Sequence, residues 1–395
     1  MKNNIVLGIT GGIAAYKMAQ VASTLTKRNY NVKVVMTESA AEFIKPLTFR
    51  SLTGNPVNID LFSPPEHHDI KHVSLAKWAD VILIAPATAN FIGKIAGGIA
   101  DDLLTTIVMA TTATKMIAPA MNVNMLNNPI VRENIDYLQD KEYQIITPES
   151  GYLACGDRGE GRLPEPQNLV ELIEIAISKK NLASKKILVT AGPTREPIDP
   201  VRFITNYSSG KMGYELARMA VRRGADVTLI SGPTHLKPPL NTNFIEVNKA
   251  REMQKEVLDI INNQQIVIKA AAVTDYRPTK YSKQKIKKDN DSINKIDLEN
   301  NPDILQEIGN QKKDEQFIVG FAAESDNLID NAEKKLKKKN LDMIIVNDIS
   351  REDIGFGSEN NEVTLITRDI REKLPVMKKR RLAEIILDKI VKMVK

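Results

Sequence analysis

Short apolar runs of strand length alternate with helical spacing along most of the chain. In the first half the runs fall at 4–9, 32–36, 81–85, 115–118 and 144–147, with helical patterns between them, as at 14–27 and 103–111. In the second half they recur at 186–191, 227–231, 266–270, 317–321 and 343–347, with 362–367 as a late strand and 380–394 as a closing helix. Apolar runs without polar alternation belong to strands covered on both faces, and repeated βα units imply a parallel sheet between helical layers. The stretch SKKNLASKK, 178–186, carries no strong apolar period and marks a linker. Residues 276–300 are lysine-rich and polar, and predict a hairpin excursion or flap that interrupts the second series.

The predicted class is therefore α/β, with two Rossmann-like parallel-sheet domains, the first flavodoxin-like with three α/β/α layers. The boundaries are 1–177, a linker at 178–186, and 187–395. Each domain opens on a Gly-rich strand-to-helix turn, NIVLGITGGIAAYK at 4–17 and KILVTAGPTREPIDPVRFITNYSSGKMGYELA at 186–217. Such turns aim backbone N–H groups and the positive end of a helix dipole at an anion. The first turn matches neither the dinucleotide fingerprint nor the Walker spacing, so it needs company to mean anything. Ligands of parallel sheets gather at the C-terminal strand ends. Thr10–Gly12, Thr37, Pro86–Asn90 and Pro119–Asn122 fall there.

Composition narrows the choices. A chain of 395 residues exceeds one typical core. The net charge of +6 is concentrated in KQKIKK (283–288), KKLKKK (334–339) and KKRR (378–381). Such runs are ordinarily solvated faces; their functional alternatives are nucleic acid or a polyanionic small ligand. No helix-turn-helix, zinc or aromatic-interleaved basic motif accompanies them, which argues against nucleic acid. The single cysteine, Cys155, excludes an intrachain disulfide, and no secretory leader or membrane span is visible. A reducing, cytoplasmic setting without membrane contact is expected. Among the four histidines no metal-ligand spacing appears. His67 and His68 lie in a polar loop. His72 starts an amphipathic segment and reads as structural or functional alike.

Three stretches of the first half carry its chemistry: PATANFIGKIAGGIADDL from Pro86, PAMNVNM from Pro119, and ACGDRGEGRLPEP from Ala154. Asn122 projects at a strand end, although an ordinary helix cap is an alternative. Cys155 sits in a Gly/Pro-rich loop beside Arg158 and Arg162, where a thiol is more than packing. These motifs resemble those of the homo-oligomeric flavin-containing cysteine decarboxylases that act on phosphopantothenoylcysteine, over about residues 1–176. Met125-Leu126 departs from the Met-Trp that many members carry. The resemblance implies bound FMN, with Thr10, Gly11, Gly12, Thr37, Pro86, Thr88, Asn90, Asp102 and Thr105 at the flavin site. It also implies that His72 and Asn122 serve the substrate carboxylate and its loss, with Cys155 as proton donor on a closing flap. The chemistry is coherent, because decarboxylating a saturated cysteine amide needs an electron sink that a flavin can provide.

In the second half, Pro193, Pro197 and Pro200 stiffen a loop carrying Arg195 and Arg202, and Ser208–Lys211 begins a helix as an anion cradle requires. Lys335 and Lys339 stand one helical turn apart. From about residue 186 onward these motifs are similar to the phosphopantothenate–cysteine ligase family, and the order decarboxylase then ligase resembles the bifunctional bacterial enzymes of coenzyme A biosynthesis. The resemblance implies CTP at Lys269, Ala270, Ala271, Asp275, Lys285, Asn301, Pro302, Asp303, Ile304, Phe321, Lys335 and Lys339, with Mg²⁺ at Asp275. It implies Asn206 at an acyl-cytidylate intermediate. The expected small-molecule partners are 4′-phosphopantothenate, L-cysteine and CTP. The expected assembly is a homo-oligomer with a trimeric flavin domain and a dimeric ligase domain, which together permit a dodecamer. A different flavin-dependent decarboxylase fused to an unrelated nucleotide domain, and a non-catalytic flavoprotein regulator, are the competing readings.

Overall fold

The structure is a computed structural model that describes residues 3–62, 70–152, 156, 158–287, 295–324, 327–348 and 357–394. The chain divides into two compact units, 1–178 and 179–395.

In the first unit six strands form one sheet: β1 (Asn4–Ile9), β2 (Asn31–Met36), β3 (Val57–Asn58), β4 (Val81–Ala87), β5 (Thr114–Pro119) and β6 (Gln144–Ile145). Their order is β3-β2-β1-β4-β5-β6, and every pairing is parallel. Alternate residues of β1 feed two different cores. Ile5, Leu7 and Ile9 pack with Met18, Val21, Phe49, Leu169 and Ile173. Val6 packs with Leu75, Phe91, Ile92 and Leu104 on the opposite face. Both faces are apolar because helices cover both, which is why these strands read as unbroken apolar runs. The strand order reverses between β1 and β4, which opens a crevice at their C-terminal ends. A two-stranded antiparallel hairpin, β7 (Glu149–Tyr152) with β8 (Arg158–Arg162), follows the sheet. The loop positions of His67 and His68 lie outside the described residues.

In the second unit the strands in chain order are β9 (Lys186–Ala191), β10 (Arg195–Pro197), β11 (Phe203–Thr205), β12 (Asp226–Ser231), β13 (Thr242–Glu246), β14 (Ile266–Lys269), β15 (Tyr276–Pro278), β16 (Leu298–Asn300), β17 (Phe317–Glu324), β18 (Met343–Asp348), β19 (Asn360–Ile366) and β20 (Arg371–Lys378). Eight of them make one sheet in the order β13-β12-β9-β14-β17-β18-β19-β20. The pairings from β13 to β18 are parallel. The last two strands add antiparallel. The turn between β19 and β20 is too short for the crossover that a parallel pair needs, so this edge departs from an all-parallel expectation. One face packs Leu188, Val267 and Ile318 against Met253, Ile304, Ala332 and Leu336. On the other, helices Lys211–Arg222 and Lys379–Met393 lie side by side. The lysine-rich excursion is rooted in an antiparallel pair, β15 with β16.

Candidate active sites

The flavin-type site begins where β1 stops. Thr10 is 2% exposed, and its hydroxyl donates to the Pro86 carbonyl at 2.7 Å. The same oxygen accepts from the Thr88 N–H at 3.1 Å. One side chain thus ties the end of β1 to the end of β4. Thr88 then caps helix Ala89–Ala96 by accepting from the Phe91 N–H, and Asn90 lies exposed in its first turn. At the end of β2, Thr37 caps helix Glu38–Phe43. Gly11 lies against this helix. A Cβ there would stand 2.5 Å from Ser39 Cβ, so only glycine lets the two turns approach. Gly12 faces Pro86 and Thr88, 3.6 and 3.9 Å from its ideal Cβ. Asp102 and Thr105 form a reciprocal capping box at the start of helix Leu103–Ala110. The structure therefore gathers Thr10, Gly11, Gly12, Thr37, Pro86 and Thr88 at the strand-order reversal, beside the capped starts of helices Glu38–Phe43 and Ala89–Ala96, while Asp102 stands 3.6 Å from Lys94 near the end of the latter helix. A backbone turn of this kind, flanked by threonine hydroxyls, fits a flavin phosphate.

Three residues beyond the end of β5, Asn122 caps the short helix Val123–Leu126, accepting from the Asn124 N–H at 2.8 Å. The hairpin of β7 and β8 is rooted beside it. The Met121 N–H donates to the Gly161 carbonyl at 3.1 Å, and a Cβ on Gly159 would come within 3.0 Å of Val123. Cys155 lies between β7 and β8 in sequence, outside the described residues. His72 sits half-buried in helix Lys71–Trp78. Among the described residues its side chain makes no hydrogen bond to Asn122 or to the Thr10–Gly12 turn.

In the second unit, a cleft of about 690 Å³ opens at the C-terminal ends of β14 and β17. Asn206 lies on its wall, with its amide donating to the Ala272 carbonyl at 3.1 Å. Lys269, Ala270, Ala271 and Asp275 line it from the end of β14, and Asn301, Pro302, Asp303 and Ile304 from the start of helix Ile304–Asn310. Asn301 donates to the Thr274 carbonyl at 2.9 Å, and its N–H donates to the Asp275 carbonyl at 2.7 Å, which locks the two loops together. Phe321, Lys335 and Lys339 complete that side. Lys339 pairs with the Asp303 carboxylate at 2.7 Å. Burial, and then the Lys339 charge, pulls the Lys269 ammonium down to about 8. Gly210 enters helix Lys211–Arg222 at φ 77°, a left-handed conformation that suits glycine, and this turns Ser208–Lys211 into the cleft. Lys285 is exposed and does not line the cleft; its neighbour Ile286 is held by Asp199 and Arg202 instead. Asn347, Asn361 and Lys379 do line it and were not legible as site residues. Lys379 was hidden inside a basic run that reads as a solvated face.

Residues 1–178 match the Flavoprotein family, and residues 182–394 match the DNA/pantothenate metabolism flavoprotein C-terminal domain. The coenzyme A biosynthesis bifunctional protein CoaBC of Bacillus subtilis (strain 168) is 48% identical over 381 residues, covering 95% of this chain and 93% of that protein. The chain belongs to the bifunctional coenzyme A biosynthesis family. The protein of the same description from Escherichia coli (strain K12) is 42% identical over 390 residues, with 98% of this chain and 96% of that one covered. A crystal structure of the C-terminal domain of such a protein is 44% identical, covering 54% of this chain and 98% of that one, with a TM-score of 0.47. As a member of this family the chain is an enzyme of coenzyme A biosynthesis with a ligase activity and an FMN-dependent decarboxylase activity. Among the described residues no helix is long and apolar enough to cross a membrane.

Proposed function

We propose that the second unit joins 4′-phosphopantothenate to L-cysteine with consumption of CTP. The first unit then decarboxylates the product, 4′-phosphopantothenoylcysteine, to 4′-phosphopantetheine. Chain order reverses reaction order. The observation that carries this reading is the ligase cleft, where one amide side chain, several lysines and a glycine-entered helix start face a single volume.

A carboxylate resists an amine until its oxygen is made a leaving group. The substrate carboxylate attacks the α-phosphorus of CTP, the bond to pyrophosphate breaks, and an acyl-cytidylate forms. The cysteine amine then attacks the acyl carbon and expels CMP. Lys269, Lys335 and Lys339 act as point charges on the triphosphate. Asn206 spends one N–H on Ala272 and keeps the other for the acyl oxygen. Among the described residues no group of three or more His, Cys, Asp or Glu could hold a metal. Asp275, exposed on this wall, would hold a Mg²⁺ that offsets the charge of the triphosphate.

In the first unit, Thr10, Gly11, Gly12 and Thr37, with the turn from Pro86 to Asn90 and the helix start at Asp102 and Thr105, hold the flavin. Bound FMN supplies the two-electron acceptor and donor that decarboxylation of a saturated cysteine amide requires. Asn122 and His72 orient the substrate carboxylate. Cys155 donates the closing proton, the role that the family resemblance gives it. Ile13 and Tyr16, 59% and 60% exposed beside the flavin turn, support a subunit contact there. The assembly proposed is trimeric flavin units and dimeric ligase units, which together permit a dodecamer. A reaction with a reduced thiol belongs in the cytoplasm.

The test is a coupled assay on the yellow full-length protein with 4′-phosphopantothenate, L-cysteine, Mg²⁺ and either CTP or ATP. CMP and CO₂ should appear together with CTP. Release of AMP at an equal rate with ATP would refute the nucleotide assignment, and amide formation without CO₂ would refute the coupling.

A further inference from the structure

The ligase cleft carries two groups of lysines on opposite faces of the sheet. Lys335 and Lys339 belong to helix Leu328–Lys338 and its cap, with Lys269 at the end of β14. The second group is Lys211 and Lys379, which begin the two helices that cover the other face. Lys379 is 6% exposed although it stands in the run KKRR. Its N–H donates to the Glu359 carbonyl at 2.9 Å and its ammonium to the Ser358 carbonyl at 2.7 Å. The Lys211 ammonium donates to the Gly357 carbonyl at 2.9 Å and to the Glu359 carboxylate at 2.5 Å. Two cations are thus tethered to consecutive carbonyls of one turn, at the positive ends of two helix dipoles, on the wall of one cleft.

The partner carboxylate, Glu359, is 79% exposed on its side chain, so water screens much of its charge. Burial, and then the charge of Lys211, pulls the Lys379 ammonium down to about 8. Two ammonium groups on one cleft wall, one of them buried, favour an anion in the volume they face.

We propose that Lys379, together with Lys211, binds a phosphate group in the ligase cleft at a position distinct from the lysines on the other face. The inference rests on the ligase reading above. Two substrates of that reaction carry the required chemistry: the phosphomonoester of 4′-phosphopantothenate and the β,γ-phosphates of CTP.

The experiment uses the full-length protein, Lys379→Gln and Lys379→Arg, with calorimetric titration of Mg-CTP, inorganic tripolyphosphate, 4′-phosphopantothenate and pantothenate. Lys379→Gln should weaken a phosphorylated ligand about 10- to 100-fold, the range of a charged hydrogen bond, while Lys379→Arg stays near wild type. Joint weakening of CTP and tripolyphosphate assigns the site to the triphosphate. Weakening of 4′-phosphopantothenate with unchanged pantothenate affinity assigns it to the phosphomonoester. Unchanged affinity for all phosphorylated ligands overturns the proposal, and so does an equal loss for pantothenate. Should Lys379→Gln fail to fold, Lys211→Gln must weaken the same ligand class, and its failure to do so is equally decisive. A wild-type protein that makes no amide would instead undo the ligase reading, and tripolyphosphate binding would still report on the lysine pair.

Discussion

Gly11→Ala is the sharpest perturbation of the flavin-type unit. The new Cβ lands 2.5 Å from Ser39 Cβ, 3.1 Å from the Ser39 carbonyl carbon and 3.2 Å from its oxygen. Carbon atoms in contact prefer about 3.5–4.0 Å, so the overlap is about 1 Å, and its first partners are a Cβ and backbone rather than a flexible side-chain end. Helix Glu38–Phe43 or the Thr10–Gly12 turn must move. Overpacking of this kind costs about 1–3 kcal/mol. For a unit of this size each kcal/mol lowers the unfolding midpoint by about 2–4 °C, so a fall of roughly 2–12 °C is expected. The displaced groups are the ones assigned to the flavin, so FMN retention after gel filtration, read by visible absorbance, should fall in parallel. Adding Ser39→Gly removes the shortest contact and leaves the 3.1 Å one, and should restore part of both readouts. A Gly11→Ala protein that melts within about 1 °C of wild type and keeps its full flavin would refute the argument.

Thr10→Val leaves the Pro86 carbonyl and the Thr88 N–H without their shared partner; a loss of about 1–3 kcal/mol per buried group is expected, and thermal unfolding with Thr10→Ser as the milder control measures it. Asn206→Ala should suppress amide formation while leaving decarboxylation of supplied 4′-phosphopantothenoylcysteine unchanged, and separate assays of the two steps check this. Lys269 has a folded pKa of about 8, below its unfolded value of 10.5. The unfolded chain therefore binds more protons between these values, so this lysine makes ligase-unit stability rise with pH across pH 8–10.5. Denaturant unfolding of Lys269→Met over that range should show a shallower slope, and an identical slope would sink the assignment.

Much of the architecture could be read from the pattern. The run 4–9 coincides with β1, and 186–191 with β9, because the apolar stretches Ile5–Leu7 and Ile187–Val189 of strands buried on both faces carry no polar alternation. β13 and β20 were not legible. Thr242–Glu246 and Arg371–Lys378 are edge or near-edge strands with exposed charges, and their sequences carry no continuous apolar run. The hairpin of β7 and β8 was hidden as well, since its glycines and arginines read as loop. The ligase-site residues, Lys285 included, come from motif resemblance; Lys285 is exposed outside the cleft, whereas Lys379, which lines it, is hidden in the sequence by the basic run around it.

The sequence by itself determined the two α/β units, the positions of their glycine-rich turns and the residue types available at the strand ends. These follow from local chemistry: apolar runs must be buried, and glycine permits what a Cβ forbids. Only the tertiary structure decided which basic residues turn inward. Lys378 is exposed and Lys379 is buried, although the two are chemically alike and adjacent. Helix phase against the sheet, set by Leu382 and Ile386 sinking into the core, rotates one of them into the cleft and leaves the other in water.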